Sequence, residues 1–412
     1  MSSETEPEPP DTLRTLFRER DFACFLFSRA GSVGGAQLLS VAVGWHVYQL
    51  TGEVFDLGLV GLAMFLPFIV FFLLAGLVAD RVDRRWIVGA CSLVHATSAV
   101  LIGLLLSGEP SGIWPTLGLL ALSGSAQAFL HPALMSTLPS LVTRNLFPRA
   151  VAASSMVGKS AQLGGPALGG LLVALIDKDV YYVAAALYLL SGIAALAIRT
   201  RLRVAAKEPF SISSVFGGFR YVWATKLVLG VISLDLLAVL FGGVMGLLPV
   251  FARDILGVGP EGLGVMRSMP AVGGLMLGLF LARFGLPWRA GPALFLSLVI
   301  FGASILVLSF SPFFLLSCAA LLVYGGSDMV SVNIRQTLVQ LGTPDGLRGR
   351  VNAVNSVSIN ASNQLGDFRA GAVAALTGAP LATAMGGVVT ILITVAWFRM
   401  FPGLGKLERA TP

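Results

Sequence analysis

Residues 76–85 read GLVADRVDRR, and they connect two long apolar stretches at residues 54–79 and 86–107. Each stretch is at least as long as the ~20 residues that an α-helix needs to cross the hydrocarbon core of a bilayer. A short basic turn between two such helices is typical of a cytoplasmic loop, because Lys and Arg accumulate on that side of membrane proteins. These residues therefore predict a helical membrane protein with this turn inside the cell.

The composition of the whole chain supports this prediction. Hydrophobic residues make up 56% of the 412 residues and charged residues only 12%, about half of the ~25% that is usual in soluble proteins. So few charges could not cover the surface of a soluble enzyme, and a disordered scaffold needs the opposite composition. The formal net charge is +7, but the basic residues are dispersed between apolar stretches, which predicts topology signals and no nucleic-acid partner.

The sequence offers no candidate for catalysis, metal binding or a cofactor. Cys24, Cys91 and Cys318 lie far apart in apolar stretches, and the three histidines have no metal-ligand spacing. The phosphate-binding pattern G-x-x-x-x-G-K-[ST] of ATP-driven pumps is absent. We therefore expect neither an enzyme nor an ATP-driven pump, with no metal and no cofactor.

Twelve apolar windows predict the membrane spans. Their extents are 22–50, 54–79, 86–107, 112–138, 149–176, 180–199, 226–252, 262–283, 290–310, 312–340, 351–376 and 380–400. The sequence thus predicts an all-α membrane protein with twelve transmembrane helices in two six-helix halves. The predicted parts are a cytoplasmic tail at 1–21, a half at 22–199, a cytoplasmic linker at 200–225, a half at 226–400 and a cytoplasmic tail at 401–412.

The distribution of basic residues sets the orientation. With the N-terminus inside, most of the 28 lysines and arginines fall in cytoplasmic segments. Lys178 and Arg253 fall outside, and Arg267 lies a short way into the eighth span. This asymmetry is what the positive-inside rule predicts, so we expect both termini in the cytoplasm.

The two halves contain a weak internal repeat. Gly76 and Arg81 after the second span match Gly278 and Arg283 after the eighth, and further matches keep the same order along the chain. Because each half has an even number of spans, the repeat is parallel. Parallel repeats occur in secondary transporters, in which two halves rock around a central site.

The GLVADRVDRR loop has the residue types of a conformational latch. Asp80 can pair with an arginine or cap the next helix, and Arg81, Arg84 and Arg85 can bridge to carboxylates on the other half. Contacts that form in one state and break in another are what alternating access needs. The alternative is that these charges only set the topology, but this explains neither Gly76 nor Asp80.

The same loop resembles the signature G-x-x-x-D-R-x-G-R-R/K of the major facilitator superfamily, with Asp83 in place of the second glycine. An acid there resembles the branch of bacterial exporters that contains the enterobactin exporter and the macrolide efflux proteins. Other segments resemble that branch too, namely FSRAGSVGGAQLLSVAVGWHVYQLTG, AQAFLHPALMSTLPSLV and LRGRVNAVNSVSINASNQLGDFRAGAVAALTG. The resemblance runs from about Phe22 to Pro402 and implies a monomeric transporter of the bacterial inner membrane. Its implied partners are the lipid bilayer, a small-molecule substrate and protons.

The fifth span contains a second resemblance. Gly165, Pro166, Gly169 and Gly170 form a G-P-x-x-G-G core that resembles the motif associated with antiporters in this superfamily, although Met156 replaces an earlier glycine of the fuller pattern. Pro166 removes a backbone donor and can kink the helix, and the glycines let a neighbouring helix approach closely. The resemblance favours export over import, whereas a kink that serves only packing is the alternative. The arginine that many drug antiporters carry in the fourth span has no counterpart here.

Several ionisable residues fall inside predicted spans, where charges are costly and usually face a cavity. They are Arg29, Lys159, Asp235, Asp328, Arg335, Asp367 and Arg369. Asp235 and Asp328 are too short to reach the membrane surface, and burial disfavours the charged form of a carboxylate, so either could take up and release a proton. We expect them to couple proton movement to transport or to bind a cation. Alternatively, they form structural ion pairs with Arg29, Lys159, Arg335 or Arg369.

Arg29 has two possible roles, as a contact for an anionic substrate or as the structural partner of a deep carboxylate. The function we expect is proton-driven export of a small organic molecule. The candidate substrates are a siderophore, a macrolide-like drug or another amphiphilic metabolite. Proton-coupled import by the same architecture and a non-transporting membrane sensor are the alternatives.

Overall fold

All regular secondary structure in the described part of the chain is helical. The computed structural model describes residues 19–108, 112–143, 145–200, 212–285 and 289–405, together with residues 16 and 407. No strand occurs among these residues, which confirms the predicted all-α class.

The long helices follow one another with short connections. They are α1 Arg20–Thr51, α2 Val54–Arg81, α3 Arg84–Ser107, α4 Trp114–Thr137, α5 Phe147–Ile176, α6 Val180–Leu196, α7 Ile212–Ala224, α8 Lys226–Gly242, α9 Gly259–Phe284, α10 Ala290–Phe310, α11 Phe314–Leu341, α12 Asp345–Thr377 and α13 Ala379–Met400. Within the described residues, nine stretches are long and apolar enough to cross a membrane. One of them, Phe147–Leu196, contains both α5 and α6, and the more polar α1 and α12 are not among the nine.

Local chemistry fixes the ends of several helices. α1 ends where Gly52 adopts a left-handed backbone (φ +67°), and its N–H donates to the Tyr48 carbonyl at 2.9 Å. α3 begins after Asp83, whose carboxylate accepts from the Arg85 backbone N–H at 3.1 Å and pairs with the Arg85 guanidinium at 2.7 Å. The acid that replaces the usual glycine of the loop signature therefore serves as the N-cap of α3.

The seventh predicted span, residues 226–252, is broken in the structure. α8 ends at Gly242, and the backbone of Gly243 is extended. Three short pieces follow, namely Met245–Leu247, Leu248–Val250 and a π-helical turn at Phe251–Ile255. The break occurs at two glycines, and a Cβ on Gly242 would lie 2.6 Å from the Phe301 ring. The apolar pattern alone could not predict this break.

The predicted linker contains a helix of its own. α7 packs on the beginning of α12, where a Cβ on Gly218 would lie 2.8 Å from the Arg350 carbonyl oxygen. The Tyr221 hydroxyl donates to the Gly342 carbonyl at 2.6 Å. Residues 201–211 of the linker lie outside the described part of the chain.

The helices form two packed groups, α1–α6 (the N-terminal group) and α8–α13 (the C-terminal group). Between the groups, α2 packs on α12 and α5 packs on α9. We call the end at which α1 begins and α13 ends the terminal end, and the opposite end the distal end. Both contacts between the groups join the beginning of one helix to the end of another at the distal end, so the groups meet there.

Candidate substrate and coupling site

The distal end is closed by helix crossings at glycines. A Cβ added to Gly170 of α5 would lie 2.7 Å from the Gly264 Cα of α9, and one added to Gly371 of α12 would lie 2.8 Å from the Gly58 nitrogen of α2. Neither crossing has room for a side chain, so the helices touch through their backbones. We call these two crossings the distal seal.

The antiporter-type motif forms part of this seal. It comprises Gly165, Pro166, Gly169 and Gly170. Its first glycine faces α1, where an added Cβ would lie 2.6 Å from the Gln37 Cβ. Its proline carbonyl faces α9 and lies 2.6 Å from the position of a Cβ on Gly264. The motif thus packs against its own group on one side and against the other group on the opposite side.

Gly170→Leu is expected to prevent closure of the distal end, because the leucine would collide with the α9 backbone. Cysteines introduced at Phe55 and Phe368, whose ring centroids lie 6.1 Å apart, would report closure by disulfide crosslinking in a protein freed of its native cysteines. We expect crosslinking to fall about tenfold, since overpacking costs ~1–3 kcal/mol.

Gly164→Leu, on the same helix, is the matched control. Apart from the neighbouring backbone of its own helix, nothing in the described part of the chain lies within 4 Å of a Cβ at Gly164, so crosslinking should stay at the parent level. Equal crosslinking in Gly170→Leu and Gly164→Leu would contradict a seal made by backbone contact.

Arg267 of α9 supplies a polar tie between the groups. Its guanidinium donates to the Ser40 hydroxyl of α1 at 2.7 Å and to the Met245 carbonyl at 3.3 Å. Farther toward the distal surface, the Tyr48 hydroxyl donates to Asp254, and the Arg253 guanidinium donates to the Tyr48 carbonyl at 3.0 Å. The sequence predicts Arg267 near the end of a span and carries no signal that makes it a site residue.

Asp367 and Arg369 of α12 both bind backbone that the break after α8 leaves free. The Asp367 carboxylate accepts from the Gly246 N–H at 2.9 Å. The Arg369 guanidinium donates to the carbonyls of Leu240 and Phe241 at 3.0 and 2.7 Å. The two side chains therefore have different partners. They hold α12 against the broken helix.

Asp235 of α8 and Arg335 of α11 form a buried ion pair. Only 5% of the Asp235 side chain and 4% of the Arg335 side chain are exposed. The Arg335 Nε is buried and has no hydrogen-bond partner within the described residues. This geometry matches the structural alternative for Asp235.

Asp328, also on α11, is in a different environment. Its side chain is half-buried, and it forms neither a hydrogen bond nor an ion pair with any residue that the structure describes. The charges of Arg335 and of Lys159 act on it. Lys159 belongs to α5, is exposed, and donates to Gln162 of its own helix at 3.2 Å. The Lys159 charge thus reaches Asp328 from the other helix group, and we call the region between these two side chains the cleft.

Arg29 of α1 lies on the N-terminal side of the cleft. A Cβ on Gly158 of α5 would lie 3.0 Å from the Arg29 Nε, so the guanidinium packs against the α5 backbone. Its charge acts on His131 of α4, whose side chain is exposed. Sequence reasoning missed His131, because a single histidine in an apolar span carries no signal of which way it faces.

The latch residues lie at the terminal end. The Arg84 guanidinium donates to the Ser136 carbonyl and, at 3.2 Å, to the Ser140 hydroxyl. The Arg85 guanidinium donates to the Ile198 carbonyl at 2.6 Å. Both arginines thus contact helix ends of their own group, while Arg81 is exposed. The surroundings of Gly76 and the side chain of Asp80 lie outside the described part of the chain. Among the described residues, no cluster of three metal-ligating side chains occurs.

The chain forms two packed helix groups that are sealed at one end and carry opposed charges in the cleft. These features are those of a multi-pass membrane transporter. The family described as transmembrane secretion effector matches residues 15–409. The chain belongs to this family, which is part of the major facilitator superfamily, so the predicted resemblance is confirmed. Because the members and relatives of this family are transporters, the chain is a transporter and not an enzyme.

Curated relatives and solved structures agree with this assignment. The enterobactin exporter EntS of Escherichia coli O1:K1 / APEC is 24% identical over 407 residues, which cover 95% of this chain and 94% of the exporter. EntS of Shigella dysenteriae serotype 1 is 25% identical over 388 residues, which cover 90% and 89%. A bacterial homologue of the human lysosomal transporter Spinster, inward-facing and occupied, shares the fold with a TM-score of 0.75 at 12% identity, covering 94% and 98% of the two chains. The nucleoside transporter NupG has a TM-score of 0.70 at 14% identity, covering 92% and 99%.

Proposed function

We propose that this protein is a secondary active exporter of a small organic molecule in the bacterial inner membrane, working as a monomer by proton antiport. The observation that carries the proposal is the alignment with enterobactin exporters along nearly the whole chain. Membership of a secretion family favours outward movement over import. A sensor without transport has no evident use for a cleft with opposed charges.

We infer twelve spans in two halves, at residues 22–199 and 226–400, with both termini in the cytoplasm. The packing supports a parallel repeat. In the N-terminal group α2 packs on α4 and α3 on α6, and in the C-terminal group α9 packs on α11 and α10 on α13. The contacts of α5 with α9 and of α12 with α2 are equivalent under the same repeat. With the termini inside, the distal end faces outward and the cleft opens to the cytoplasm.

Asp328 is the proposed coupling carboxylate. A half-buried carboxylate without a fixed partner can exchange its proton with water when the cleft opens. Asp235 is less suited, because Arg335 holds it in a buried pair. The loop of Arg81, Arg84 and Arg85 is the proposed inner latch, which would engage the C-terminal group when the terminal end closes.

The proposed substrates are a siderophore, a macrolide-like drug or another amphiphilic metabolite. Untargeted mass spectrometry of spent medium and cell extracts, with and without the gene, in iron-poor and iron-rich growth, tests this proposal. We expect a compound to disappear from the medium and accumulate in the cells of the deletion strain. The intact gene should restore its export, whereas an Asp328→Asn copy should not.

Iron dependence of the lost compound would support a siderophore. A compound that is instead retained in the medium of the deletion strain would contradict export and support import. Identical media and cell extracts in both conditions, together with unchanged susceptibility to macrolides, would contradict the proposal.

A further inference from the structure

Arg29 carries a positive charge that the described residues do not balance. Its Nε is buried and has no hydrogen-bond partner within the described residues. No carboxylate of the described residues forms an ion pair with it, although Asp235 pairs with Arg335. A guanidinium stays protonated in proteins, and a charge withdrawn from water is costly unless an opposite charge balances it.

Two further basic side chains lie on the same side of the cleft. The charge of Arg29 acts on His131 of α4, and Lys159 follows the glycine of α5 against which Arg29 packs. Both His131 and Lys159 are exposed, so the described residues enclose neither side chain. The hydrogen bond of Lys159 to Gln162 stays within one helix and brings no opposite charge, so Asp328 of the other group is the carboxylate whose charge acts with it. Three helices of the N-terminal group thus contribute a basic group to one place.

α1 extends this surface with neutral polar groups. Gln37 and Ser40 follow Arg29 on this helix, and the helical period places all three on one side of it. The Gln37 side chain lies against Gly165 of α5, and Ser40 accepts a hydrogen bond from Arg267 of α9. The polar side of α1 therefore runs from Arg29 toward the polar tie between the groups.

We propose that Arg29, His131 and Lys159 form an anion subsite that binds the acidic group of the transported molecule. This inference rests on the proposed function, since it takes the cleft as the substrate path. It narrows the substrate class to organic acids, such as carboxylates or phenolates, and excludes cationic amphiphiles. The guanidinium supplies fixed donors for a charged oxygen, while Lys159 adds positive potential and the His131 imidazole can donate a further hydrogen bond.

Binding of three probes of equal size tests the subsite. They are 1-naphthoate, 1-naphthamide and 1-naphthylmethylamine, titrated calorimetrically into the full-length protein in nanodiscs of phosphatidylcholine. We expect the acid to bind at least about tenfold more tightly than the amide or the amine. Tenfold corresponds to ~1.4 kcal/mol, which a single hydrogen bond to a charged group can supply.

Arg29→Gln should remove this preference for the acid, and Arg29→Lys should keep part of it. Lys159→Gln should weaken the preference in a protein of unchanged stability, because Lys159 is exposed. This second variant keeps the test decisive if Arg29→Gln fails to fold. Arg149→Gln, an exposed change near the beginning of the same helix, is the matched control and should bind like the parent protein.

Equal affinity for the three probes, or no measurable binding of the acid, would overturn the subsite. So would an acid preference that survives both Arg29→Gln and Lys159→Gln. The binding measurement needs no transport, so its outcome is separate from that of the deletion experiment. An export defect in the deletion strain without acid preference in the binding measurement would support the export function and contradict the anion subsite. Acid preference without an export defect would support the subsite and contradict the export function.

Discussion

Asp328→Asn is expected to abolish proton-driven transport while leaving the fold and substrate binding intact. Asparagine has nearly the same shape but cannot carry a proton, and no hydrogen bond or ion pair to a described residue is lost. In proteoliposomes with a pH gradient, gradient-driven movement should fall at least about hundredfold. A hundredfold loss corresponds to a free-energy difference of ~2.7 kcal/mol. This is close to the ~2.3 kcal/mol that one proton releases when it crosses a membrane with a potential of 100 mV. Exchange of substrate without a gradient should persist.

Asp179→Asn is the matched control for this change. Asp179 is an exposed carboxylate at the distal surface, and its loss should leave both modes of transport at the parent rate. Gradient-driven transport at the parent rate in Asp328→Asn would reject Asp328 as the coupling group. Loss of exchange together with gradient-driven transport would assign Asp328 to substrate binding.

Asp235→Asn should destabilise the protein strongly. Asp235 is the carboxylate partner of Arg335, and removing one member of a buried pair leaves an uncompensated charge, which costs ~3–5 kcal/mol. We expect a marked drop in the apparent melting temperature of the purified protein in detergent. Replacing both partners, as in Asp235→Leu with Arg335→Met, should recover most of that loss because no buried charge is left.

The double variant also separates structure from coupling. If the pair is only structural, the double variant should fold and keep gradient-driven transport. A stable Asp235→Asn protein that exchanges substrate but ignores the pH gradient would contradict this role and make Asp235 the coupling carboxylate.

The length of the apolar stretches in the sequence was enough to predict where most helices lie. The predicted spans 54–79 and 86–107 correspond to α2 at Val54–Arg81 and α3 at Arg84–Ser107. Hydrophobic windows report burial in a bilayer, which depends on length and composition only. The same signal failed at Gly243, because an extended residue between apolar helices does not change the hydropathy of the window.

The partners of the deep charges could not be predicted. Asp235 and Arg335 are separated by 100 positions in the chain, and each could have faced several helices. Arg267 was missed because its role depends on Ser40, which lies on a helix of the other group. Hydropathy carries no information on which face of a span meets another helix, and the pairing follows only from the packing of the two groups.

The distal seal also bears on the energetics of the working cycle. Its crossings at Gly58 and Gly371 and at Gly170 and Gly264 are backbone contacts, each atom pair of which contributes only ~0.1–0.2 kcal/mol of dispersion energy. A proton crossing a membrane at 100 mV releases ~2.3 kcal/mol, enough to shift a two-state equilibrium more than about tenfold. The Arg267 and Tyr48 hydrogen bonds between the groups add to these contacts, so opening of the distal end requires that many individually weak contacts break together. In the proposed antiport cycle, the direction of net flow is set by the proton and substrate gradients across the membrane and not by the distal seal.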